Sequence, residues 1–101
     1  MAETTKNFVP FHTLAREWDA RFNVPTQEDL QALIDLTQSE ALDGKFRYAL
    51  IGGVEVGDRP YQNDFNIRHV HCALVYNNRV SKSSILKNLG IKQGHGYYFV
   101  S

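Results

Sequence analysis

The spacing of apolar residues changes period several times along the chain. In residues 25–42, "PTQEDLQALIDLTQSEAL", Leu30, Leu33, Ile34 and Ala41 fall on one face at helical spacing. Thr26 is placed to cap this segment, with Asp29 three residues on and acids in the first turn, so a helix is predicted here. In residues 67–76, "IRHVHCALVY", the period is two: Ile67, His69, His71, Ala73 and Val75 share one face of a strand. Arg68, Val70, Cys72, Leu74 and Tyr76 share the other, and from Val70 onward that set suits packing against helices.

The remaining segments fill in around these two. "NFVPFHTLA" (7–15) reads as a first strand, with Pro10 marking an edge or an irregular start. "REWDARFNV" (16–24) fits a loop or a short helix. "KFRYALIGGVEV" (45–56) reads as a strand in which Gly52 and Gly53 mark a bulge or a close backbone approach. Residues 57–66 are rich in turn formers and should connect it to the strand that follows. "NNRVSKSSILKNLG" (77–90) reads as a turn and a short helix stopped by Gly90, and "GYYFV" (96–100) as a last strand. The order β–α–β–β–α–β predicts an α+β fold: an antiparallel sheet with helices on one face, the split βαβ or ferredoxin-like plan, in one domain over residues 1–101.

Composition narrows the class. Hydrophobic residues make up 43% and charged residues 22% of the chain, the profile of a soluble globular domain. No apolar run approaches the roughly 20 residues of a membrane span, and residues 1–13 lack the layout of a secretion signal. The single cysteine, Cys72, excludes an internal disulfide and a CxxC metal site. Net charge is zero but unevenly spread: residues 1–43 carry eight acids and three bases, residues 44–101 three acids and eight bases. That asymmetry fits a basic face meeting an anion such as nucleic acid, and it equally fits solvated faces that happen to segregate.

His69 and His71 raise the question of chemistry. Two residues apart on one strand face, their Cβ atoms lie on the order of 7 Å apart, close enough for two imidazoles to close on one divalent ion. Val54 and Val56 bracket Glu55, so if the valines face the helices, Glu55 faces the side of the histidines. Two imidazoles and one carboxylate leave coordination positions for water and a phosphate oxygen, a donor set suited to Mn²⁺ or Mg²⁺ rather than to a closed structural zinc. Incidental histidines on a half-exposed strand are the plain alternative.

"RHVHCALVY", with its His–hydrophobic–His core, resembles the HUH motif of the replication-initiator (Rep) endonucleases of circovirus- and geminivirus-like single-stranded-DNA viruses. "YALIGGVEVGD" is similar to the strand carrying that family's metal-binding acid, and "NFVPFHTLA" sits where its first motif, a strand tied to DNA recognition, is expected. The resemblance covers nearly the whole chain. It implies metal-dependent nicking and joining of single-stranded DNA at an origin hairpin, starting rolling-circle replication through a 5′-phosphotyrosine intermediate. Glu55, His69 and His71 would hold Mn²⁺ or Mg²⁺, in a viral protein of the host nucleus whose isolated domain is a monomer.

The chain departs from the family at the nucleophile. The family's attacking tyrosine lies in a Tyr–x–x–Lys motif on a helix, and no tyrosine here has lysine three residues on. Tyr76 has Arg79 at that spacing but belongs to the histidine strand. The expectation is that the chain is a piece of a longer Rep, cut before the nucleophile helix. The attacking tyrosine would then lie beyond Ser101, with Tyr97 and Tyr98 as the rival candidates. Phe11, His12, Thr13, Arg68, Arg79 and Lys82 are the candidate DNA contacts, each weighed against a solvated or half-exposed side chain. A non-catalytic nucleic-acid-binding module on the same sheet, resembling an RNA-recognition fold, is the competing function, and a structural or interaction protein the third.

Overall fold

A computed structural model describes residues 10, 12–61 and 65–100, and for residues 97–100 the backbone only. Its elements run β1 (Leu14–Asn23), α1 (Gln27–Leu42), β2 (Phe46–Ile51), β3 (Glu55–Val56), β4 (Arg68–Ser81), α2 (Lys82–Asn88) and β5 (Gly96–Val100). The strands form one antiparallel sheet in the order β2-β4-β1-β5, and β3 follows β2 along the same edge of β4. The α+β fold, compatible with a ferredoxin-like split βαβ arrangement, is therefore present as expected.

The first strand is displaced from its predicted place. Pro10, His12 and Thr13 lie outside any strand and β1 begins at Leu14, so of the described residues of the expected strand at 7–15 only Leu14 and Ala15 belong to it; residues 7–9 and 11 lie outside the described residues. The segment read as a loop or short helix is the strand itself. Trp18, Ala20, Phe22 and Val24 alternate with Glu17, Asp19, Arg21 and Asn23, and the first set is at most 2% exposed. Burying that row outweighs the helix preference of Ala, Arg and Glu in the same stretch. The turn expected at the start of residues 77–90 is likewise replaced by strand, because β4 continues to Ser81, whose partner is Leu14.

One face of the sheet carries the core. Trp18, Ala20 and Phe22 of β1 stand in register with Leu74, Cys72 and Val70 of β4, and Leu33 of α1 with Ile85 of α2 packs over them. Cys72 is buried there, which pushes its thiol up to about 12 and leaves it protonated and inert at neutral pH. Of the helix face predicted for α1, Leu33 is buried, Leu30 and Ile34 are half-buried, and Ala41 is exposed. Thr37 is buried in addition, its hydroxyl donating to the Leu33 carbonyl at 2.7 Å.

The predicted caps are in place. Thr26 and Asp29 form a reciprocal capping box, the Thr26 hydroxyl oxygen accepting from the Asp29 N–H at 3.1 Å. Lys92 reaches the Asp29 carboxylate at 3.0 Å, and this bond, followed by that from Thr26, holds the Asp29 carboxyl below the usual carboxylate range. Gly90 closes α2 at φ +64°, where a Cβ would meet Leu36 Cδ1 at 2.9 Å. Among the described residues no helix is long and apolar enough to cross a membrane.

Candidate metal centre

Among the described residues no helix covers the opposite face of the sheet, and His69 and His71 lie on it. His71 is exposed, whereas His69 is 4% exposed, more enclosed than a half-exposed strand position. Its place in the sheet explains the burial: it is flanked by Asn23 of β1 on one side and by Glu55 of β3 on the other.

Glu55 owes its position to the two glycines before it. β2 pairs with β4 as far as Ile51 opposite Cys72, and the edge resumes with Glu55 opposite His69. Residues 52–54 on the edge thus oppose only residues 70 and 71 on β4: one extra residue, a bulge. If the same residues ran on in a regular, unbulged ladder, Glu55 would stand opposite Arg68, on the face of Ile51 and Cys72. The extra residue reverses the alternation and turns Glu55 toward the histidines. Gly52 permits the close approach, since its N–H donates to the His71 carbonyl at 2.8 Å and a Cβ there would stand 3.1 Å from that oxygen. The expected reason for Glu55's orientation, valines turned to the helices, does not hold: Val54 is 40% and Val56 52% exposed.

The three side chains converge. One ligand atom from each of Glu55, His69 and His71 lies within 4.8 Å of the other two. Two metal–ligand bonds of about 2.2 Å span at most about 4.4 Å, so small rotations of the exposed Glu55 and His71 side chains bring the set to bonding distance. His69 Nδ1 lies 3.1 Å from the Ile67 carbonyl. A carbonyl can only accept, so Nδ1 carries a hydrogen, and in the neutral ring Nε2 keeps its lone pair. That nitrogen faces Glu55 Oε1 at 3.7 Å, and the His71 ring stands edge-on to His69 with centroids 5.4 Å apart. A carboxylate oxygen opposed to an imidazole lone pair calls for a cation or a proton between them. The carbonyl behind His69 is the kind of outer partner that fixes a metal-binding imidazole.

The donor set, two nitrogens and a carboxylate, suits a first-row divalent ion such as Mn²⁺. The Glu55 side chain is 65% exposed, so one side of the centre is open to water or a phosphate oxygen.

The candidate DNA contacts do not gather around this centre. Asn23 is opposite His69 and Leu14 opposite Ser81, so His12, Thr13, Arg79 and Lys82 lie toward the other end of the sheet. At ~3.3 Å per residue, the ten residues of β1 put its ends roughly 30 Å apart. Arg68 adjoins His69 but pairs with Val56 on the alternate face. Phe11 lies outside the described residues. Arg21, which was not among the candidates, stands in register with His71 and is the base brought closest to it along β1.

The tyrosines separate by register. Tyr97 pairs with Arg21, and so shares a row across the sheet with His71; Tyr98 pairs with Ala20 and shares a row with Cys72. Tyr76 is 5% exposed, its ring 4.6 Å from that of Phe46, and burial raises its hydroxyl pKa further above the ordinary tyrosine value. It is a core residue. Ser101, past which the resemblance puts the nucleophile, lies outside the described residues, as does any tyrosine that would follow it. Comparison with protein-family models and with curated proteins finds no match to the chain.

Proposed function

We propose that this chain is the metal-binding domain of an HUH-type Rep endonuclease, one that nicks and joins single-stranded DNA to start rolling-circle replication of a viral genome in the host nucleus. The observation that carries the reading is the convergence of Glu55, His69 and His71 on the face of an antiparallel sheet opposite its helices. A bound Mn²⁺ or Mg²⁺ supplies charge stabilisation to a phosphodiester under attack. His69 and His71 hold the ion from β4, Glu55 from β3, and the Ile67 carbonyl keeps the His69 ring in its binding tautomer. Arg21, in register with His71, is suited to a neighbouring phosphate oxygen.

The attacking group is a tyrosine hydroxyl. It displaces the 3′ oxygen of the upstream nucleotide, leaving a 3′-hydroxyl and a 5′-phosphate esterified to the protein. Within this chain Tyr97 is the candidate to test, because its register position shares the row of His71. A tyrosine beyond Ser101, in a longer protein, is the other source.

The test is binding of a fluorescent single-stranded DNA hairpin with a flanking single strand, with Mn²⁺ and with EDTA. The reading predicts tighter binding with Mn²⁺, a preference over the same sequence in RNA, and loss of the Mn²⁺ effect in His71→Ala. Equal binding with and without metal would point instead to the non-catalytic nucleic-acid-binding module. In parallel, covalent transfer of a 3′-end label to the protein, lost in Tyr97→Phe, would assign the nucleophile to this chain.

A further inference from the structure

Asn23 is the last residue of β1, and it is 9% exposed. Its Oδ1 is buried and has no hydrogen-bond partner among the described residues. Such a carbonyl has given up its hydration and is destabilising when nothing donates to it. The backbone beside it is tightly held: the Asn23 N–H donates to the His95 carbonyl at 2.7 Å, and the Val24 N–H to the Arg68 carbonyl at 2.9 Å. The orphaned oxygen therefore sits on a fixed piece of strand.

Its location suggests its use. Asn23 is the register partner of His69, and alternation along β1 puts it on the face away from Trp18, Ala20 and Phe22, which is the face of the histidines. Directly paired residues on one face have Cβ atoms about 4.5–5.5 Å apart. His69 turns Nε2 toward Glu55 on β3, so an ion held there lies on the far side of the ring from β1. Asn23 is one strand too distant to ligate it directly. A water on an ion would extend its reach and has hydrogens to donate, which is what a buried, unpartnered carboxamide oxygen lacks.

We propose that Asn23 is a positioning residue of the metal centre, its carboxamide oxygen accepting a hydrogen bond from a water bound to the ion. This rests on the reading of Glu55, His69 and His71 as a metal centre. It adds a fourth residue from a different strand, so that the centre is framed by β1, β3 and β4. It also gives the buried oxygen a partner when the ion is bound.

The experiment measures Mn²⁺ affinity from the electron paramagnetic resonance signal of free aqueous Mn²⁺, with thermal stability in EDTA alongside, for wild type, Asn23→Ala and Asn23→Asp. Loss of an outer partner of a metal site weakens affinity by about 10–100-fold. Asn23→Ala should fall in that range while remaining at least as stable as wild type in EDTA, because an unsatisfied acceptor is removed. Asn23→Asp, which keeps an oxygen in place and adds charge, should match or exceed wild-type affinity. Should Asn23→Ala fail to fold, an Asn23→Asp protein that folds but binds Mn²⁺ about tenfold more weakly would overturn the proposal. Wild-type affinity in Asn23→Ala would also overturn it and leave the three-residue centre intact. No binding by wild type would remove the centre and the role of Asn23 together.

Discussion

Phe22→Ala should be the most destabilising single substitution in the sheet, at about 3–5 kcal/mol. Phe22 is fully buried in β1, the strand that pairs with both β4 and β5, and stands in register with Val70. Its neighbours along the same face of β1, Ala20 and Val24, and its partner Val70 are at most 2% exposed and too short to fill the space. A domain of this size has on the order of 5–15 kcal/mol of total stability, so the loss is a large share of it. At about 4–8 °C per kcal/mol, the melting temperature should fall by on the order of 20 °C. Phe22→Leu, which keeps most of the volume, should cost under about 1.5 kcal/mol. Urea denaturation of the three proteins checks this, and a Phe22→Ala loss near that of Phe22→Leu would show that β1 is not the centre of the core.

The second large effect concerns length rather than chemistry. Deleting Gly53 and Val54 together leaves two steps from Ile51 to Glu55, one fewer than the three that separate their partners Cys72 and His69. In a regular ladder continuing from the Ile51–Cys72 pair, Glu55 then comes opposite Val70 and turns to the face of Ile51 and Cys72, whereas deletion of Gly53 alone would leave it opposite His69. Mn²⁺ affinity should fall by at least about tenfold, to the level of Glu55→Ala. Gly53→Ala supplies the control, because a Cβ at Gly53 meets nothing within 4 Å and the residue count is unchanged. It should bind Mn²⁺ like wild type. If the double deletion binds as well as Gly53→Ala does, the register of this edge is not what orients Glu55.

This bulge also shows what could be read from sequence and what could not. "IGGVEV" marked a bulge or a close approach, and Glu55 was placed on the histidine face, but through an argument about valines that the exposure of Val54 and Val56 removes. Alternation in "IRHVHCALVY" correctly separated the histidines from Val70, Cys72, Leu74 and Tyr76, because strand period is a local property. The capping box at Thr26 and the stop at Gly90 were legible for the same reason.

What was missed depends on partners distant in sequence. The row Trp18, Ala20, Phe22, Val24 was present in "REWDARFNV", yet its charged and helix-favouring neighbours obscured it until β4 and β5 were known to flank it. Asn23 could not be chosen from sequence, since its interest lies in the pairing with His69 and in an oxygen left without a donor. Nearness in sequence to the histidines is what suggests Arg68, Arg79 and Lys82 as DNA contacts, and a strand as long as β4 carries Arg79 away from them.

The central claim is that Glu55, His69 and His71 form one divalent-metal centre, and thermal melting in a titration with Mn²⁺ tests it most directly. A ligand that binds only the folded state adds about 2.7 kcal/mol at roughly a hundred times its dissociation constant, enough to raise the melting temperature of a domain this size by about 10 °C or more. Wild type should show that rise, and His71→Ala, which alters an exposed residue, should melt like wild type in EDTA and show no rise with Mn²⁺. No shift of wild type at millimolar Mn²⁺, or an equal shift in His71→Ala, would contradict the account.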